Sequence, residues 1–221
     1  TFNQGTVNLV GSGVVIPAGG LTLSGATLTM NTNPGQIAAN NAVTLNDSST
    51  LTLVGNNTLN SLIFNNTGGT GTPTVATGTG TLTLTASTPV TVVSNNVATV
   101  PTISGVVNLG SSAKTFDVGA IQIGGQVISS INPALNVSAV MNGAASLTKT
   151  GNGILQLSGQ SIFTGGVNLT QGGILLGASS TPSTGGNGIT GGPLGSGSLA
   201  ASAATTLLVD GSRSIANDIT F

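Results

Sequence analysis

The chain has 221 residues, enough to bury a continuous core without disulfides or metals, and it contains no cysteine. Charged residues make up 3% of it, against about 25% in ordinary globular proteins, and His, Tyr and Trp are absent. A net charge of −1 leaves no basic patch for phosphate-driven binding of nucleic acid, while 38% hydrophobic residues argue against disorder. No apolar run is long enough for a membrane-spanning helix. The polar remainder is Thr, Ser, Asn and Gly, which suits strands and turns, so little or no helix is expected. Thr1 opens the chain without a signal peptide, and the expectation is a mature product or a segment of a larger protein.

In chain order, period-two apolar alternation marks strands at Val7 and Leu9, Val14 to Ile16, Leu21 and Leu23, and Leu28 and Met30. Gly11, Gly13, Gly19, Gly20 and Gly25 cut these runs. Further runs follow at Val43 and Leu45, Leu51 and Leu53, and Leu59 through Phe64. Asn40-Asn41, Asn56-Asn57 and Asn65-Asn66 lie between or beside them, at corners where Asn tolerates a positive φ. Thr67 to Pro73 reads as a loop. Beyond it come Leu82 and Leu84, Val90 to Val93, Ile103 to Leu109, Phe116 and Val118, Ile121 and Ile123, Val127 and Ile128, and Asn136 to Val140. The five Phe residues are too widely spaced for one aromatic ladder and read as core filling.

Between Leu147 and Gly177 the alternation is sharpest, with bursts at Ile154–Leu157, Val167–Leu169 and Ile174–Leu176 separated by Gly pairs and by Asn, Gln, Thr and Ser. Strands this short and this regularly spaced form either a sandwich or a chain that coils and stacks on itself. The stretch resembles the passenger-associated repeat of bacterial autotransporters. Lys149, Gly151, Gly153, Leu155, Leu157, Ser158 and Gly159 carry the first half, and Phe163-Thr164-Gly165-Gly166, Gly173 and Leu175 the second. Phe163 stands where that family more often has Tyr. A partial echo runs from Gly192 to Leu199 and from Leu207 to Asn217. The resemblance implies a right-handed parallel β-helix, exported and displayed on the outer membrane. The fold expected is therefore all-β, a right-handed parallel β-helical solenoid in one domain over 1–221. About 20 residues per coil would make roughly eleven coils. The stretch 178–192, rich in Gly, Ser, Thr and Pro, is expected to protrude as a loop.

Proton-transfer chemistry draws on His, Glu, Asp, Lys, Tyr or Cys, and four of those six types are missing. Lys114 with Asp117, and Asp210 with Arg213 and Asp218, are the two groups in which charges lie close in sequence. Both read as surface ion pairs worth about 0–1 kcal/mol rather than as a polysaccharide-cleaving centre. Isolated Asp residues cannot supply the six to eight oxygens that calcium needs. Lys149 takes the Lys position of the repeat rather than that of a crosslinking residue. Asn-x-Ser/Thr matches at Asn46, Asn56, Asn65, Asn136 and Asn168 arise from composition, and the Gly-x-Gly pairs are turns. No catalytic, cofactor-binding or metal residue is assigned, no cofactor is expected, and the chain is not expected to be an enzyme.

Thr77 to Thr85 places Thr on alternate positions, and Thr27/Thr29 and Thr50/Thr52 add shorter pairs. Flat Thr arrays on a coil can order water, but the rows do not visibly recur at a fixed spacing. The function expected is a structural or adhesive stalk or fibre segment of an exported bacterial surface protein. The alternatives are a subunit that self-assembles end to end into an extracellular filament, and a polysaccharide-binding or polysaccharide-active β-helix. Partners would be further copies or flanking repeats through end strands, surface glycans or host matrix. Neither nucleic acid nor membrane insertion of this segment is expected.

Overall fold

Alternation puts every second side chain on one side of a strand, and a strand of three to six residues must then turn to keep that side facing its own interior. A computed structural model, which describes residues 1–128, 131–184 and 188–221, shows this repeated along the chain. The described residues contain strands and no helix, and all but two short strands belong to a single sheet of twenty. The pairings within it join each coil to the next in parallel, which makes the fold a parallel β-helix.

Two faces run along the stack, and a third occurs only in its middle coils. On the first, strands at Phe2–Leu9, Leu21–Met30, Ala42–Asn46, Ser61–Asn66, Val90–Ser94, Lys114–Ile123, Leu147–Thr150, Val167–Leu169, Leu199–Ala201 and Ile219–Thr220 pair in that order. The second face uses the later halves of Phe2–Leu9 and Leu21–Met30, which bend at Gly5 and Gly25 (φ +76° and +60°). It continues through Thr50–Thr52, Thr74–Leu84, Thr102–Asn108, Pro133–Val137, Ile154–Leu157, Gly173–Leu176 and Thr206–Val209. The third face is shorter, running from Asn57–Leu59 through the later halves of Thr74–Leu84 and Thr102–Asn108 to Val140–Asn142. The first face thus counts ten described rungs where even coils would have given about eleven. Coil lengths are uneven: Ala42 pairs with nearby Ser61, whereas Thr102 pairs with distant Asn136.

One core runs the length of the stack. On the second face Val7, Leu28, Leu51, Val75, Ile103, Val137, Leu157, Leu176 and Val209 stack in a single inward column. All of these from Leu28 to Leu176 are buried, and burying such a side chain contributes roughly 1.5–3 kcal/mol. Phe64, Phe116 and Phe163 fill the same interior, as expected, whereas Phe221 is exposed.

Corners close on glycine and on buried asparagine. A Cβ at Gly80, Gly159 or Gly165 would collide with the backbone of Gly55, Ala139 or Ala145 in the coil beneath. The expected role of the Asn pairs is half right. Asn41, Asn57 and Asn66 are buried beside corners, but the only described non-glycine residues with positive φ are Gln4, Asp47 and Ala204. The asparagines act through their amides instead: Asn41 accepts from Gly20 N at 2.8 Å and donates to Pro17 O at 2.9 Å.

Other departures are local. Val14 to Ile16 forms no strand, only a bridge from Ile16 to Ile37, and Val14 and Val15 are exposed. Lys114–Ile123 runs on into a hairpin with Gln126–Val127 through Gly124-Gly125, both at positive φ. The 178–192 stretch carries a two-stranded antiparallel ribbon of Thr181–Pro182 with Ile189–Gly191, and residues 185–187 of it lie outside the described residues.

Candidate functional site

Of the two charged groups expected to pair, only the second does so. Lys114 and Asp117 are three apart on one strand, so period two sends them to opposite sides. Lys114 is buried and donates to Thr85 O and Ala86 O at 3.2 and 2.9 Å, while Asp117 accepts from Thr150 Oγ1 at 3.0 Å. Asp210 and Arg213 do pair, at a loose 3.9 Å and with Asp210 largely exposed. Asp218 lines a cavity of about 500 Å³ with Pro182, Ile189, Ser196, Ser198 and Ala216. Asp47 anchors the Thr67–Pro73 loop, accepting from Thr67 N and Thr67 Oγ1 at 3.0 and 2.9 Å. No group of three or more metal-ligating side chains occurs among the described residues.

Lys149 explains the best-matched motif. It shares strand parity with Leu147, so it points inward, stacked between Phe116 and Leu169 in neighbouring rungs, and is fully buried. Its ammonium reaches the corner and donates to Thr150 O at 2.6 Å, Gly151 O at 2.7 Å and Gln171 O at 3.3 Å. Gly151 takes φ +74°, and a Cβ there or at Gly153 would strike the backbone of Val118 or Gly119. Lys-x-Gly-x-Gly is thus a corner device: an apolar stem in the core, a charged head capping carbonyls, two glycines letting coils touch. Burial pushes the Lys149 ammonium from 10.5 down to about 8, and the Asp117 carboxylate draws it partly back up. The shared parity of Leu147 and Lys149 was the signal for this inward placement, and it is readable in the sequence.

Polar columns cover the outside. Asn65 donates to Asn46, and Asn46 to Ser24, each at 2.9 Å, up three rungs of the first face. On the second face Thr6, Thr27, Thr50, Thr74 and Thr102 occupy one register in five successive rungs. Beside them Asn8, Thr29, Thr52, Ala76 and Ser104 form a second column. Thr rows therefore do recur, contrary to expectation. Uneven insertions at the corners hide the regularity in sequence. The Thr77–Thr85 run behaves oppositely, because it bends through Gly78–Gly80: Thr77 is buried and bonds Gly80 O, and only the later threonines face outward.

No protein-family model, curated protein or solved structure matches the chain.

Proposed function

We propose that this chain is a structural or adhesive stalk or fibre segment of an exported bacterial surface protein, of the autotransporter-passenger kind. The observation that carries the reading is the single parallel ladder of ten rungs around one unbroken core. Such a stack is stiff along its axis, because each coil hydrogen-bonds to both neighbours, and repeats of this design contact only those neighbours. A low-charge lateral surface of Thr, Asn and Ser supports the same reading, since contact surfaces of this kind work by shape and many weak polar bonds. So does the corner built by Lys149, Gly151 and Gly153, which gives the passenger-like motif a mechanical purpose. The surface would meet glycans or host matrix outside the cell, and the ends would meet flanking repeats.

Electron microscopy of the purified chain tests this, followed by glycan-array and matrix-protein binding. Ten rungs at about 4.8 Å make a rod on the order of 45 Å long. Monodisperse rods of that length with saturable glycan or matrix binding are the expected result. Long unbranched filaments would replace the stalk with the subunit of an end-to-end polymer. Rods that bind nothing on either panel would remove the adhesive part and leave the stalk.

A further inference from the structure

The threonine columns of the second face are the largest regular feature that the stalk reading leaves unused. Five threonines stand in one register from Thr6 to Thr102, flanked by Asn8, Thr29, Thr52, Ala76 and Ser104, with no charged and no aromatic side chain in either column. Parallel pairing fixes the spacing at about 4.8 Å from rung to rung and about 6.6 Å along each strand. Threonine is stiff at χ1 and loses little entropy when held, so each hydroxyl and methyl keeps its place in the grid. Among the described residues the hydroxyls of Thr27, Thr29, Thr50 and Thr52 have no protein partner, whereas Thr74 and Thr102 each donate to a carbonyl two residues back. The central hydroxyls are left to water.

A charged face holds strongly oriented hydration shells that do not match a lattice. A sugar-binding face usually offers an aromatic ring to stack on. This one has neither, and its rung-to-rung repeat of about 4.8 Å is close to the shorter oxygen–oxygen repeat on the surface of ice. Waters bridging neighbouring hydroxyls along and between rungs would carry the protein's spacing outward. We propose that this face binds ordered water and, through it, ice crystal surfaces. The idea is independent of the stalk reading, since a rod can carry such a face whether or not it is anchored to a cell.

Freezing hysteresis and inhibition of ice recrystallisation, measured on the whole chain, test it. The unmodified protein is expected to hold crystals static below the melting point and to keep grains small. Thr50→Lys, which puts a charge in the middle of the array, should abolish both effects. Thr83→Lys, on the outward side of the third face, should leave both intact. Should Thr50→Lys fail to fold by circular dichroism, Thr27→Val takes its place, keeping the shape, removing the hydroxyl and weakening both effects. A folded protein that leaves ice growth unchanged overturns the proposal. So does an equal loss in Thr50→Lys and Thr83→Lys, or a loss in neither.

Discussion

Lys149 places an ammonium at the edge of a hydrocarbon core, and the carbonyls of Val118, Thr150, Gly151 and Gln171 do not fully replace the water it gives up. Its acidity rises accordingly, from 10.5 to about 8. The sign of the consequence follows from linkage. Between about 8 and 10.5 the unfolded chain keeps a proton that the folded chain has released, so folding stability increases with pH through that window. Below the window both states are charged and the cost of burial is present in full; above it both are neutral and the cost is gone. The shift corresponds to about 3 kcal/mol. Thermal or chemical unfolding across this range should show the rise in the natural chain and a level response in Lys149→Met, which keeps the stem and removes the charge. A level response in both would mean that water reaches the ammonium.

Corners decide whether coils stack, and asparagine does at several of them what the strand ladder does elsewhere. Asn41 satisfies Gly20 N and Pro17 O, two backbone groups of the coil below that no strand pairs. Asn41→Ala leaves both without a partner and should cost about 2–3 kcal/mol of unfolding free energy. Its exposed neighbour Asn40 makes no such bonds, and Asn40→Ala should stay within about 0.5 kcal/mol. Denaturant titration of the two variants separates them, and equal effects would remove the corner role. Most strand elements of the stack were readable from alternation, although the ribbon of Thr181–Pro182 with Ile189–Gly191 was not. Leu147–Thr150, Ile154–Leu157, Val167–Leu169 and Gly173–Leu176 fall where apolar residues alternate between glycines. Val14 to Ile16 shows the limit of that rule: three adjacent apolar residues carry no period, and the segment lies at the start of the stack, where only Ile37 bridges to it.

At the scale of the whole molecule, stability comes from a column of buried apolar side chains and from backbone ladders, and ion pairing contributes almost nothing. The one ion pair among the described residues, Arg213 with Asp210, is loose and on the surface. Arg213→Ala should therefore change stability by less than about 0.5 kcal/mol. Raising the salt from low to near molar should likewise leave the unfolding midpoint nearly constant at neutral pH, apart from any general salting-out effect. A marked fall in sodium chloride would point to electrostatic stabilisation that the fold does not display.

Composition and alternation by themselves determined that the chain is all-β, where most of its strands and glycine corners fall, and that stacking was a natural way to cover its apolar side. Those properties are local, because period two and the positive φ of glycine act within a few residues. Register was decided by the tertiary structure. Thr6, Thr27, Thr50, Thr74 and Thr102 align only because each corner absorbs a different number of residues, and a chain read in one dimension has no means of subtracting those insertions. The same holds for Lys149, whose parity is visible in sequence. Its carbonyl partners Thr150 and Gly151 are its neighbours in sequence, but Gln171 reaches it from the next coil and Phe116 and Leu169 pack against its stem from either side. Pairing between coils is a long-range choice made by packing, and packing is settled only when the whole stack is built.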